Sequence, residues 1–295
     1  MIHSIALSGI VLAAMAQPPD RADSTGAWRM LHTVAGPDQW LTAAWLGEGG
    51  AWFAGGKNIL LTGRDESAKE TAVPRTVVYR FGEDSSGRVV AVGLRAMVWE
   101  QDGDGFRLVH QSPSPPRKGR ASYGELLYGI GYLDPSSAET LIAYGPNDLI
   151  AYRLASGAWE TKRDSTLASW ALIGPPKPAL PRGCDRLYWH WLSRKEAFLS
   201  CDDGRSYLVS NDQFEAAGRL PAACKDDVSA VARDKTALYL SCGSHPSLWV
   251  HKMGQPPWDR VQGAPSGVRS VVAKDGCVLL VTDNQVWRRC GVNER

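Results

Sequence analysis

The sequence predicts an all-β chain folded as a six-bladed β-propeller, four antiparallel strands to a blade, with the last blade completed by the N-terminal strand. Three observations predict it. Apolar runs ending in a small residue recur at Ala51–Gly55, Val89–Gly93, Leu141–Gly145, Ala197–Cys201, Leu238–Cys242 and Val278–Thr282. Their last positions advance from 55 to 282 in five steps of about 45 residues, the length of one four-stranded blade. Long helical periodicity is absent, and clusters of Gly, Pro, Asp and Ser separate the runs.

Each run is the second strand of its blade. A first strand precedes it at 40–46, 76–82, 126–133, 187–192, 228–232 and 268–273. A third follows after a tight turn at 58–62, 96–100, 149–153, 206–210, 248–252 and 285–289. A fourth, led by an aromatic, comes next at Phe106, Trp159, Phe214 and Trp258, with 69–73 a poorer version in the first blade. The sixth blade lacks a fourth strand, since only Gly291 to Arg295 remain after Cys290. The orphan segment 27–33, led by Trp28, supplies it, and closure removes the exposed edges that invite aggregation.

All six cysteines lie between residue 184 and the C-terminus. Cys184 and Cys224 stand just before first strands, while Cys201 and Cys242 end the second strands of the same blades. Cys277 starts a second strand and Cys290 ends the third. Neighbouring positions in antiparallel pairs select the bonds Cys184–Cys201, Cys224–Cys242 and Cys277–Cys290 out of 15 connectivities.

The N-terminus carries an apolar stretch, Ile5 to Ala16, too short to span a bilayer and sized like a signal-peptide core. Ala14-Met15-Ala16 offers a small-x-small cleavage pattern before Gln17. The expected organisation is a signal peptide at 1–16, a linker at 17–26 and one propeller domain at 27–295. The mature protein is then secreted or periplasmic, which suits an even number of cysteines. It contains no integral membrane segment and is expected to be monomeric. Thirty-three Lys and Arg against thirty-one Asp and Glu, without a long basic block, argue against nucleic acid as a partner. Twelve Trp suit aromatic-rich strands or a stacking surface for sugars.

A glycine-ended second strand, a turn, a strand and then glycine with an aromatic (Gly145 to Trp159, Gly93 to Phe106) resembles the repeats of bacterial BNR and Ycf48-like propellers. The stretch from Ser200 to Tyr207, SCDDGRSY, is similar to the Asp-box S-x-D-x-G-x-T-W of the sialidase superfamily, with Ser and Tyr at its last two places. Asp-boxes are structural turns in that superfamily, so the resemblance implies no catalytic role.

Sialidase chemistry needs an arginine triad, a Tyr/Glu pair and an acidic donor. Arg80, Arg95 and Tyr132 are placed to face the channel, yet no motif assigns those roles. Asp102-Gly103-Asp104-Gly105 echoes the start of a calcium loop without the later ligands and reads as a hairpin turn. His190 and His251 fall within strands. Trp189 and Trp191 flank His190 on the opposite face, making it a packed, hydrogen-bonded residue. No nucleophile elbow, phosphate loop or dinucleotide fingerprint occurs, and neither a metal nor another cofactor is expected.

Loops joining second to third strands emerge on the same face as the loops between blades, commonly the binding face of this architecture. That face carries Lys57, Asn58, Arg95, Asn147, Asp148, Asp202, Asp203, His245 and Asp283, the candidate binding residues. Two long inter-blade loops, 113–123 and 163–183, open there too. The expected function is a non-catalytic binding or assembly-scaffold propeller recognising a protein or glycan. The alternative is a glycan hydrolase or lyase with an acid/base pair among Asp148, Asp202, Asp203 and His245.

Overall fold

The computed structural model describes residues 26–112, 125–132, 141–173, 181–184, 187–193, 195–210, 213–225, 227–243, 247–254 and 257–291. The leader at 1–16, the loop at 113–123 and His245 lie outside these residues.

The elements in chain order are β1 (Arg29–Thr33), β2 (Trp40–Leu46), β3 (Ala51–Arg64), β4 (Ser67–Glu83), β5 (Val89–Gly93), β6 (Val98–Asp102) and β7 (Gly105–His110). Then come β8 (Gly129–Tyr132), β9 (Leu141–Tyr144), β10 (Leu149–Arg153), β11 (Trp159–Arg163) and one helix, α1 (Ser165–Ile173). Next are β12 (Leu187–Trp191), β13 (Glu196–Cys201), β14 (Arg205–Ser210) and β15 (Gln213–Arg219), followed by β16 (Val228–Arg233), β17 (Ala237–Cys242), β18 (Leu248–Lys252) and β19 (Asp259–Arg260). The last three are β20 (Ser270–Lys274), β21 (Cys277–Val281) and β22 (Gln285–Cys290).

Four antiparallel sheets have four strands each: β8 to β11, β12 to β15, β16 to β19, and β20-β21-β22-β1. In the last of these β1 pairs with β22, placing Arg29 opposite Arg288 and Met30 opposite Trp287. The remaining strands, β2 to β7, form one six-stranded sheet rather than two four-stranded ones. The sequence suggests breaks near 56 and 74, but pairing runs through both. Asn58 and Arg75 each take a left-handed conformation, and the Arg75 N–H donates to Asn58 Oδ1 at 2.8 Å. The two kinks thus brace one another, and the ladder shifts register there instead of ending.

The buried second strands read as continuous apolar runs because both of their faces are covered: β5, β9 and β17 are buried at every position. Their small end residues have a steric cause. A Cβ on Gly93 would sit 2.0 Å from the Val77 carbonyl oxygen, and one on Gly145 would sit 1.7 Å from that of Leu126. Gly56, one place beyond the expected end of the run, is blocked in the same way by Trp40. In β13 and β17 the small end residue is instead the buried Cys201 or Cys242.

Consecutive sheets share apolar cores. Phe198 and Leu208 pack with Leu238, Leu240 and Trp258, and Tyr239 and Leu248 pack with Val271, Val278 and Leu280. Chain start meets chain end in one cluster, where Leu41, Trp52 and Leu61 join Leu279, Val281 and Val286. The outer-strand aromatics Phe106, Trp159 and Trp258 each reach the preceding sheet or half-sheet. The β4 segment beginning at Ser67 has no such aromatic. Polar contacts join it to the closing sheet instead: the ion pair Arg29–Glu66 and a hydrogen bond between His32 and Glu70, at 2.6 Å each, with the pair Arg288–Asp65 nearby at 3.4 Å.

Within the stretch expected to be the loop 163–183, α1 forms. Asp164 caps it, accepting from the Leu167 N–H at 3.0 Å, and that contact first and Lys162 next hold its carboxyl below the usual range. Leu167 and Ala168 then cover Ile142, Tyr144 and Ile150. The cap and the Leu/Ala content were visible signals, but nine residues are too few to display a helical period. No helix among the described residues is long and apolar enough to cross a membrane.

The disulfides are Cys184–Cys201, Cys224–Cys242 and Cys277–Cys290, the first two tying a second strand to the segment just before its sheet's first strand and the third joining β21 to β22, with sequence separations of 17, 18 and 13. Loops of that size correspond to about 3 kcal/mol per bond in the chain-entropy description. Reduction is therefore expected to lower the thermal midpoint and to loosen the C-terminal half first. Hydrogen exchange before and after reduction checks this. Equal deprotection of β5 and β17 would contradict it.

Candidate binding face

The loops after second strands take their shape from left-handed residues. Asn58, Arg95, Asn147 and Asp148 all have φ between 57° and 63°. Such positions favour Asn and Asp, whose short polar side chains bond locally. Backbone bonds anchor several of these loops. Arg163 donates to the Asn147 carbonyl, and the Asp148 carbonyl accepts from the Asp164 N–H at 2.9 Å, tying that loop to the start of α1. Arg95 bonds the Gln111 amide oxygen through Nη1 at 3.2 Å, and its own carbonyl accepts from the Ser112 N–H.

Asp203 accepts from the backbone N–H of Arg205 at 2.9 Å and from its Nε at 2.5 Å, while Arg205 Nη2 donates to the Arg182 carbonyl. The backbone bond first, with Arg205's charge in support, holds the Asp203 carboxyl below the usual range. The stretch from Ser200 to Tyr207 is therefore the β13–β14 turn, closed by Asp203 rather than by Asp202, which stands at the Asp-box aspartate position. Asp102 to Gly105 is likewise the β6–β7 hairpin turn.

Three expected residues do converge. Trp40 sits opposite Lys57 in the β2–β3 register, so Lys57 Nζ lies over the Trp40 ring at 4.3 Å. Lys57 also reaches Asp38 at 3.4 Å, and Asn58 Nδ2 donates to the Asp38 carbonyl. From the far end of the chain, the Asp283 carbonyl accepts from the Leu41 N–H at 2.7 Å. Its carboxylate takes two bonds from Arg269, from Nε at 2.7 Å and Nη2 at 3.4 Å. Asp283 in turn holds Arg269 ionised beyond its ordinary range. Trp40, Leu41, Thr42, Arg269 and Asp283 line an open cleft of about 480 Å³.

Trp40, 41% exposed, and Arg269 were missed by the sequence reading. Each flanks the start of a first strand and looks structural until sheets from opposite ends of the chain are set side by side. The Arg269–Asp283 pair is solvent-exposed on both sides and adds little stability, leaving its remaining donors and acceptors open to a ligand.

Of the other singled-out residues, Tyr132 is buried, its hydroxyl donating to the Glu83 carbonyl at 3.1 Å, whereas Arg80 lines a central cavity. His190 is packed beside Phe198, and its buried Nε2 has no hydrogen-bond partner among the described residues. Burial first, and the Arg80 charge second, push its pKa down to about 3, so the ring is neutral.

No family model and no curated protein matches this chain. Solved structures do. Virginiamycin B lyase from Staphylococcus aureus is similar at 10% identity over 88% of this chain and 98% of that one, with a TM-score of 0.61. The WD40 repeats of RRP9 are similar at 13% identity over 90% and 98%, with a TM-score of 0.60. A structural-genomics protein of unknown function from Bacteroides thetaiotaomicron matches at 10% identity over 88% and 74%, with a TM-score of 0.55. At these identities the likeness shows the fold alone: a mainly β chain with several four-stranded antiparallel sheets, like those of its propeller neighbours.

Proposed function

We propose that the protein is an exported, non-catalytic binding propeller that recognises a glycan through the Trp40 cleft on its loop-rich face. In this reading residues 27–295 form a single domain of six blades. The β2–β7 sheet counts as two blades joined through the Asn58 and Arg75 kinks, and β1 completes the last blade. The pairing of β1 with β22 and the shared core of Leu41, Trp52, Leu279 and Val281 support a closed ring. Three disulfides and the apolar stretch Ile5 to Ala16 support export, so mature protein should begin at or near Gln17.

The observation that carries the reading is Trp40, a half-exposed indole with a bidentate Arg269–Asp283 pair at the rim of its cleft. A flat apolar ring beside fixed polar groups suits a sugar, which presents C–H faces and hydroxyl edges. The catalytic alternative is weaker because Asp203 is an ionised turn cap, and Asp148 lies on a separate loop tied to α1. A glycan array with mature, oxidised protein tests the proposal. W40A is expected to weaken the best ligand by roughly thirtyfold with little change in thermal midpoint. Unchanged binding by W40A would remove the cleft from the reading.

A further inference from the structure

A second hollow lies on the central axis, away from the Trp40 cleft. It has a volume of about 230 Å³ and is lined by the first strands of several sheets: β2, the second half of β4, β12, β16 and β20. Leu46, Glu83, Trp191, Arg233 and Lys274 line it from the C-terminal ends of those strands, so it opens toward the turns that follow first strands, opposite the loop-rich face.

Its charges do not balance. Arg80, Arg233 and Lys274 line it against one acid, Glu83. Arg233 is neutralised by an ion pair with Glu196. Lys274 has only a loose contact, 3.9 Å from an exposed Glu48 carboxylate. Arg80 has no ion pair or hydrogen bond among the described residues, although its charge acts on both Tyr144 and His190. Arg80 is thus a half-buried guanidinium on the wall of the hollow with no counter-ion among the described residues, and its five donors suit an anion. An anion in the hollow would supply that counter-ion. Two aromatic walls, Trp45 and Trp191, complete it.

We infer that this cavity binds a small organic carboxylate with an apolar ring face, the carboxylate on Arg80 and the ring against the tryptophans. Its volume lies below the ~300–1,000 Å³ of drug-sized pockets, which limits the ligand to about one six-membered ring. Arginine supplies the bidentate geometry a carboxylate takes. The site is independent of the Trp40 cleft and of the glycan reading.

Titration calorimetry on the mature, oxidised protein tests it with sodium glucuronate and sodium benzoate as probes. Glucose serves as the neutral ring and sodium sulfate as the anion without one. At least one carboxylate is expected to bind, with glucose and sulfate at least tenfold weaker. R80Q should weaken the carboxylate tenfold or more, and W40A should leave it unchanged. K274Q, on a side chain held only by the loose contact to Glu48, should weaken it about threefold with the fold intact, which keeps the test decisive if R80Q is unstable. Binding of neither carboxylate, equal binding of glucose or sulfate, or affinities indifferent to both charge substitutions would overturn the inference. Loss of glycan binding by W40A with carboxylate binding retained separates the two sites.

Discussion

Mature protein truncated to begin at Ala35 is expected to lose cooperative unfolding and to aggregate. The deletion removes β1, and β22 then presents an unpaired row of N–H and C=O groups from Gln285 to Cys290. Such an edge is a template for pairing with another chain. The bond from the Val34 N–H to the Asn284 carbonyl, at 2.8 Å, goes with it. So do three apolar anchors. Leu31 and Val34 pack in the cluster that joins chain start to chain end, and Trp28 packs against Val271, Val278 and Leu280. At about 1.5–3 kcal/mol per large side chain, the loss is on the order of 5 kcal/mol, comparable with the whole margin of many domains. The exposed Arg29–Glu66 pair adds little. Thermal unfolding followed by circular dichroism, with size-exclusion chromatography, checks the prediction. A sharp, unshifted transition in a monodisperse truncated protein would sink it, and ring closure with it.

The strands were legible because a strand buried on both faces must be apolar throughout, as in Val89–Gly93 and Ala237–Cys242. The cysteine pairing was legible for a related reason: once strands are placed, Cys277 and Cys290 fall directly opposite one another. Function was harder. Asn147, Asp148 and Arg95 look like ligand-binding residues in a loop, yet left-handed turn geometry selects some of the same polar side chains, and their backbones are spent on local bonds. The Trp40 cleft depends on Leu41 meeting Asp283 across nearly the whole chain, a contact that no local pattern encodes. The continuation of the β3–β4 ladder through its kinks was hidden likewise, since the register shift there is braced by a bond between Arg75 and Asn58.

The same distance in sequence hides the most consequential polar cluster, which joins the β2–β7 sheet to the β8–β11 sheet. Glu100, on β6 and only 7% exposed, accepts from Trp159 Nε1 at 2.7 Å, Arg153 Nη2 at 2.5 Å and Arg88 Nη1 at 3.0 Å. Asp84 accepts from Arg153 Nη1 at 2.8 Å and also closes its own turn through Ser86 and Arg88. Burial alone would raise both carboxyls, but the bonds from Trp159 and Arg153 to Glu100, and from Ser86 and Arg153 to Asp84, outweigh it and hold both below their ordinary values of 4.5 and 3.8. Depressed carboxylates contribute stability that is complete above the unfolded pKa and is lost as pH falls through the folded one. The thermal midpoint is therefore expected to hold near neutrality and to drop steeply below about pH 4.5. Removing one partner of a buried ionic cluster strands the rest, so E100A should cost about 3–5 kcal/mol at pH 7 and flatten that acid slope. E100Q, which keeps the shape and an acceptor for Trp159, should cost less. Replacing the whole cluster core together, as D84N with E100M and R153M, should recover much of the loss because no unpaired charge then remains buried. Denaturant unfolding of the four proteins from pH 3.5 to 7 measures all of this. An E100A loss under 1 kcal/mol, or an acid slope the same as wild type, would mean that packing alone joins the two sheets.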